Sequence, residues 1–190
     1  MLYFCCMTKE EILNYHLPRY EEIPDIGLFM EQMVTYLEQH LLLLEDDKKI
    51  TKTMINNYVK HEIVEKPIKK RYTRMHVAYL LVVFILKRVY SLDEIVLMIK
   101  VQVKATDIER AYNIFAEEYE RCLKAIILEE PIQHLEISHS DPLVIKLLRN
   151  TVQSVGYQFW DKLYLIEERK KRAARLAEKQ ASNSWGFYYV

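Results

Sequence analysis

The sequence predicts an all-α protein built around one sizeable core. Only three of its 190 residues are glycine, whereas a β-sandwich or β-barrel needs many tight turns. Hydrophobic residues make up 51% of the chain, and they recur at spacings of three and four, the period of an amphipathic helix. The longest apolar run, residues 77–86, is too short for a bilayer, which requires roughly 20 residues. We therefore expect a buried helix there and no interaction with a membrane.

The N-terminal part is predicted to be an extension, residues 1–24, followed by a helix that begins at about Asp25. This helix has a core-facing stripe formed by Leu28, Met33, Val34, Leu37 and Leu41. Residues 1–47 carry two basic and ten acidic side chains, a net charge of −8, and residues 48–74 carry nine basic and two acidic side chains, a net charge of +7. The local positive charge of the second stretch favours an acidic partner.

The basic stretch is predicted to contain a short helix that begins after its cap, Thr51, and ends at about His61. One face, which would anchor the helix on the core, carries Met54, Ile55, Tyr58 and Val59. The other face carries Lys52, Thr53, Asn56, Asn57 and Lys60. Asparagine can form paired hydrogen bonds with adenine, threonine can contact thymine methyl groups or phosphate, and lysine neutralises phosphate. Such a face is typical of a helix that reads DNA.

Pro67 predicts a break after this helix, because proline lacks an amide proton and pushes the preceding residue into an extended conformation. The segment is expected to be a loop or a short β-ribbon. It carries four residues that suit the neighbouring DNA backbone or minor groove: Lys69, Lys70, Arg71 and Tyr72. Thr73 is the next predicted cap, and it precedes the buried helix 74–90.

Two capping boxes, at Ser91–Glu94 and Thr106–Glu109, predict two further helices, the second ending at about Glu129. Residues 25–130 together make the predicted helical core. Asp141 and Pro142 predict the start of a long C-terminal helix within residues 131–190, a segment that ends in an apolar tail. The helix is expected to reach about Gln180. Its apolar seam consists of Val144, Leu148, Val152, Val155, Phe159, Leu163 and Ile166. A seam of this kind pairs helices within a chain or between two copies, and we expect a homodimer.

The order of elements in residues 50–103 resembles the winged helix-turn-helix of the MerR-type regulators. The matching parts are the short helix "TKTMINNYVKHEIV", the wing "EKPIKK", the step "RYT" and the turn "YSLDEI". Over about Leu17 to Leu128 the chain is similar to the bacterial family DUF1836. That similarity rests on "LPRYEEIPDIGLFMEQMV", "ITKTMINNYVKHEIVEKPIKKRYTRMHVAYL" and "LKRVYSLDEI".

The resemblance implies a MerR-like winged helix-turn-helix in a helical core, and a transcriptional regulator that binds double-stranded DNA sequence-specifically. Bases would be read by Thr53, Asn56 and Asn57. Phosphates would be held by Lys52, Lys60, Lys69, Lys70, Arg71 and Arg74. A homodimer would match a two-fold operator whose half-sites are spaced by whole helical turns. The wing departs from the pattern because it lacks the glycine often found before its basic residues.

A second class of function remains open, namely a helical protein-interaction module that does not bind DNA. Its basic stretch would dock an acidic partner. That partner could also be the chain's own N-terminal region, because residues 1–47 are strongly acidic.

Enzymatic functions find little support in the sequence. It contains no glycine-rich phosphate loop, no GxSxG and no paired zinc motif, and we expect no cofactor and no metal. His134 and His139 flank Glu136 on a loop, but this spacing is nonspecific and surface histidines are the expected reading. Cys122 has helical neighbours typical of a core thiol. Three cysteines, two of them adjacent, make no disulfide framework, which favours the reducing cytoplasm.

Overall fold

A computed structural model of the protein describes residues 7–137 and 141–185, with only the backbone described from residue 181 onward. Within these ranges the chain forms seven α-helices and one 3-10 turn, and no extended strand. The helices are α1 Lys9–Leu13, α2 Met30–His40, α3 Lys52–Lys60, α4 Arg74–Leu86, α5 Leu92–Ala105, α6 Ile108–Leu128 and α7 Pro142–Trp185, and the 3-10 turn is Tyr20–Glu22. The predicted all-α class and the long C-terminal helix are confirmed. None of the described helices has both the length and the apolar composition needed to cross a membrane.

Several helix ends lie where their capping residues predict. The Thr51 side chain accepts a hydrogen bond from the amide of Met54 at the start of α3. Ser91 and Glu94 form the predicted capping box of α5. Asp141 accepts from the amide of Leu143 as α7 begins at Pro142. Each side chain satisfies an amide that lacks a partner within its helix, which fixes the first turn.

Four predicted ends are wrong. Helix α7 continues to Trp185 rather than ending at about Gln180. Helix α2 begins at Met30 rather than at Asp25, because Leu28, two residues before the helix, pairs its backbone with Tyr72 through two hydrogen bonds of 2.8 Å. Helix α4 ends at Leu86 rather than at residue 90. At the start of α6 the cap is Asp107, not Thr106, and it accepts from the amide of Arg110.

Helix α4 is the central element of the core. Eight of its thirteen residues are buried, as its continuous apolar sequence predicts. Helices α2, α5, α6 and α7 all pack against it. It therefore forms a fixed support for the segments that precede it in the chain, including α3.

Helices α6 and α7 form the most extensive helix pair of the described structure. The seam of α7 packs within the chain, because Leu148, Val152, Val155, Phe159, Leu163 and Ile166 all belong to the core. A Cβ atom on Gly156 would lie 2.8 Å from Ile126 Cδ1, so glycine allows the two helices to approach closely. From Arg172 to Gln180 every α7 residue is exposed. The helix spans about 66 Å at the usual rise per residue, and its last turns project from the core.

Part of the predicted N-terminal extension, residues 1–24, contributes to the core. Leu17 and Ile23 are completely buried in the same hydrophobic cluster as α4 and α7. Arg19 donates two hydrogen bonds, of 2.8 and 2.7 Å, to the carboxylate of Glu120 on α6. Paired contacts of this kind are among the stronger ones in proteins. Residues 1–6 and the apolar tail, 186–190, lie outside the described residues.

An acidic loop between α2 and α3 is attached to α7 and to the turn that follows α4. Arg88, in that turn, donates to Asp47 Oδ2 at 2.5 Å and to the Leu42 carbonyl at 2.6 Å. Three cations of α7 pair with the same loop: Lys162 with Asp47, Arg169 with Asp46, and Lys170 with Glu45. The loop ends a few residues before α3, so these contacts fix where α3 begins.

Candidate nucleic-acid interface

Helix α3 presents two different faces. Ile55 and Tyr58 are buried, with 0% and 2% of their surface exposed, and Met54 and Val59 are half-buried beside them. The opposite face is exposed and carries all five predicted contact residues, Lys52, Thr53, Asn56, Asn57 and Lys60. The division follows the helical period of the sequence. We call these five exposed side chains the α3 face.

Tyr58 fixes α3 to the buried helix α4. Its ring meets Phe84 edge-on, with centroids 5.5 Å apart. Its hydroxyl accepts a 2.7 Å hydrogen bond from Lys87 Nζ, which also lies 5.1 Å from the ring centroid. A buried aromatic ring with a satisfied polar tip sets both the depth and the rotation of a helix. The orientation of the α3 face is therefore set by the packing of Tyr58 against Phe84 and Lys87.

The predicted β-ribbon is a single tight turn, residues 68–71, which we call the lysine turn. Ile68 and Arg71 exchange two backbone hydrogen bonds of 3.0 and 2.9 Å. The two residues between them, Lys69 and Lys70, both have positive φ, 51° and 65°. Two central residues of positive φ define a type I′ hairpin turn, which normally contains asparagine or glycine. Lysine adopts this conformation at a cost, so the turn carries two exposed cations on a strained backbone.

Two of the predicted DNA contacts, Tyr72 and Arg74, instead hold the lysine turn in place. Tyr72 is only 3% exposed, because its backbone pairs with Leu28 and its ring packs edge-on against buried His76. This burial contradicts its predicted role at the DNA surface. Arg74 is half-buried, donates to the Ile23 carbonyl at 2.8 Å and lies 4.0 Å from Asp25. Its guanidinium is therefore committed to the N-terminal segment.

Arg71 and Lys52 are exposed but have partners within the chain. Arg71 lies over the Phe29 ring, 4.2 Å from its centroid, and donates to the Gly27 carbonyl at 3.0 Å. Lys52 donates to the Glu31 carboxylate, and this hydrogen bond lowers the pKa of Glu31. Both glutamate and lysine are more than half exposed, so a phosphate can compete for the lysine at little cost.

Sequence reasoning missed other exposed side chains of the basic stretch. Lys48 and Lys49 are exposed immediately before α3, and Lys66 is exposed before the turn. Ile68 is 63% exposed at the base of the lysine turn. The lysines could have been identified from the charge of residues 48–74, whereas the exposure of Ile68 follows from the turn geometry and has no signal in the sequence.

Two of the remaining candidates of the sequence, His134 and Cys122, have structural roles. His134 Nδ1 lies 2.7 Å from buried Glu118, which ties the segment before α7 to α6. His139 lies outside the described residues, and no cluster of potential metal ligands occurs among the described ones. Cys122 is a buried core thiol, as predicted. Burial raises its pKa to about 12, so the thiol stays protonated at neutral pH.

Comparisons with known proteins give one family match. No curated protein and no solved structure matches the chain significantly. The family model described as a domain of unknown function, DUF1836, matches residues 18–115. The match contains α2 to α5, including the α3 face and the lysine turn, and it ends within α6. Because it covers more than half of the chain, the protein belongs to the DUF1836 family.

Proposed function

We propose that the protein is a sequence-specific, MerR-like transcriptional regulator of the bacterial cytoplasm. The observation that carries this proposal is the α3 face, which exposes two asparagines, a threonine and two lysines on a helix anchored through Ile55 and Tyr58. Helix α3 would enter the major groove, where these side chain types can read base edges. The lysine turn would act as the wing and contact the adjacent backbone.

The proposed roles follow from exposure. Bases are read by Thr53, Asn56 and Asn57. Phosphates are held by the five exposed cations Lys52, Lys60, Lys69, Lys70 and Arg71. Arg74 and Tyr72 position the turn and do not touch DNA.

Dimerisation is part of the proposal, since a two-fold operator is read by two copies. The seam of α7 is occupied within the chain, so the dimer must use another surface. The projecting end of α7, where Leu176 is 53% exposed, is the available continuation of that helix.

Salt dependence tests the DNA contact directly. Neutralising five phosphates per protomer gives a plot of log affinity against log salt with a slope of about −4 to −5 per protomer. We would isolate bound genomic fragments, sequence them, and measure their affinity by fluorescence anisotropy over a range of salt concentrations. An affinity that does not respond to salt contradicts the proposal.

Three substitutions separate base reading from phosphate binding. Asn56→Ala should lose roughly 1 to 3 kcal/mol of discrimination between the operator and an unrelated duplex. Lys70→Ala should weaken both duplexes equally and reduce the salt slope by about one unit. Lys124→Ala is the matched control, because Lys124 is an exposed lysine on α6. Equal behaviour of the first two variants would show that the assigned roles are wrong.

The alternative, a protein-interaction module, is favoured by the contacts of Lys52, Arg71 and Arg74 with the N-terminal segment. Deleting residues 1–47 cannot test this alternative, because that stretch supplies buried core residues such as Leu17 and Met33. Glu31→Gln frees Lys52 without changing the core. DNA binding that tightens modestly in this variant supports the regulator. Absence of DNA binding in both proteins, with capture of an acidic peptide, supports the module.

A further inference from the structure

A cavity of about 60 Å³ lies where four helices meet, on the side of α4 that faces α5, α6 and α7. Each helix contributes apolar side chains to it, among them Val82 of α4, Met98 of α5, Ala111 of α6 and Leu148 of α7. None of the side chains that line it carries a charge. The volume gives room for about four to five water-sized groups, but an apolar lining does not hold water well.

Helix α5 is the least covered wall of this cavity. Ile95 is its only buried residue, although most of its sequence is apolar, and Leu97 is 64% exposed. Met98, Ile99 and Val103 line the cavity while still half-exposed to solvent. A helix with few buried contacts opens more easily than the rest of a fold. The cavity therefore has a route for a ligand between α5 and its neighbours.

The polar groups at the cavity define what it can bind. Three donors are already used: Gln102 Nε2 by the Val144 carbonyl, Thr151 Oγ1 by the Leu147 carbonyl, and the Tyr112 hydroxyl by the Pro18 carbonyl. The Gln102 amide oxygen accepts no hydrogen bond within the part of the chain that the structure describes, and the Tyr79 hydroxyl at the same cavity has no hydrogen-bond partner there either. A charged ligand would be buried here without a counter-charge, which is strongly unfavourable. A neutral ligand with an apolar body and one hydroxyl donor satisfies both the lining and Gln102.

We propose that this cavity binds a short neutral alcohol, with its hydrocarbon chain among the apolar side chains and its hydroxyl donating to Gln102. The ligand acts on DNA binding through α4, and this part rests on the proposed function. Ala78, Val82 and Leu86 of α4 line the cavity, while Phe84 of the same helix and Lys87, the residue that follows it, hold Tyr58 of α3. A ligand that changes the position of α4 therefore changes the orientation of the α3 face.

Methionine methyl NMR tests the binding with 1-butanol as the probe. The Met98 methyl resonance should shift and saturate on titration, whereas that of Met33, buried on α2, should not. Butyrate, which has the same chain length and a charge, should shift neither. A linear response to 1-butanol without saturation, or an equal response to butyrate, overturns the proposal.

Two variants locate the probe. Ala111→Leu fills the cavity and should abolish the Met98 response, while Ala173→Leu, on the exposed end of α7, should leave it unchanged. Gln102→Met keeps the shape and removes the acceptor, so the affinity for 1-butanol should fall about fivefold, the usual effect of one hydrogen bond. Saturation at the original concentration in both Ala111→Leu and Gln102→Met places the probe elsewhere and overturns the proposal.

The link to DNA is measured separately, so the two proposals can fail independently. Saturating 1-butanol should change the operator affinity of the wild-type protein and leave that of Ala111→Leu unchanged. A saturable Met98 shift in a protein that binds no DNA supports the cavity and contradicts the proposed function. A saturable shift with unaltered operator affinity overturns the coupling through α4.

Discussion

The α3 region and the α6–α7 pair are stabilised in opposite ways. Helix α3 buries two of its nine residues, whereas α6 buries nine of twenty-one and packs against α7. The first region therefore uses most of its surface for polar and cationic side chains, and the second uses a larger share of its surface for packing. If the α3 face binds DNA as proposed, binding and stability reside on different residues, so substitutions can change one with little change in the other.

The strongest test of this comparison is Phe159→Ala in the α6–α7 pair. Phe159 is 1% exposed, and removing a buried phenylalanine side chain costs about 3–5 kcal/mol of unfolding free energy. Urea unfolding followed by circular dichroism measures this loss. Tyr157→Ala, with Tyr157 52% exposed on the same helix, should cost far less. Similar losses in both variants would mean that the seam is not the main source of stability.

Gly27→Val should loosen the base of the lysine turn. A Cβ atom at position 27 would lie 2.8 Å from Arg71 Cβ, so the pairing of Leu28 with Tyr72 must shift. We expect a loss of about 1–3 kcal/mol, the usual cost of overpacking. Hydrogen exchange at the amides of Leu28 and Tyr72 should become faster. Ile26→Val, at a position 74% exposed, is the control, and unchanged exchange in Gly27→Val would contradict the close approach.

Tyr58→Phe tests how much the position of α3 depends on the hydrogen bond between Tyr58 and Lys87. The change removes the acceptor of the Lys87 hydrogen bond and should cost about 1 kcal/mol of unfolding free energy. If α3 binds DNA, operator affinity should fall as well, because the orientation of the α3 face becomes less defined. Tyr164→Phe, at a half-exposed position of α7, should change neither quantity. A Tyr58→Phe protein of unchanged stability would contradict the anchoring role.

The smallest expected effect is a gain in stability. Replacing Lys69 by Asn and Lys70 by Gly puts the preferred residues at the two positions of positive φ and should stabilise the fold by about 0.5–1 kcal/mol. If the lysine turn contacts DNA as proposed, the same double substitution should weaken DNA binding, because two cations that would contact phosphate are lost. Replacing Lys48 and Lys49 in the same way removes two exposed lysines from positions without positive φ and should give no stabilisation. A turn variant that is not more stable would show that the lysines carry no strain.

The sequence predicted features that depend on local spacing. The bounds of α3 follow from the Thr51 cap and from apolar residues at the helical period, and the seam of α7 follows from the same period. The start of α2 and the burial of Tyr72 could not be predicted, because both depend on a backbone pairing between Leu28 and Tyr72, which are far apart in the chain. Thr106 and Asp107 are adjacent capping residues, and the sequence alone does not decide between them. Whether the α7 seam pairs within the chain or with a second copy is likewise a tertiary question.

The order of the free protein should depend on ionic strength, because ion pairs hold the acidic loop before α3. Its outer ion pairs, Glu45 with Lys170 and Asp46 with Arg169, involve exposed or half-exposed side chains, whereas the pair of Asp47 with Arg88 is largely buried. Screening weakens the outer pairs first, and the loop then holds the start of α3 less firmly. If α3 binds DNA, added salt would therefore lower operator affinity both by competing at the phosphates and by making the free protein less ordered. A Glu45→Gln variant, in which one outer pair is already absent, should give a shallower salt slope with the same number of phosphate contacts.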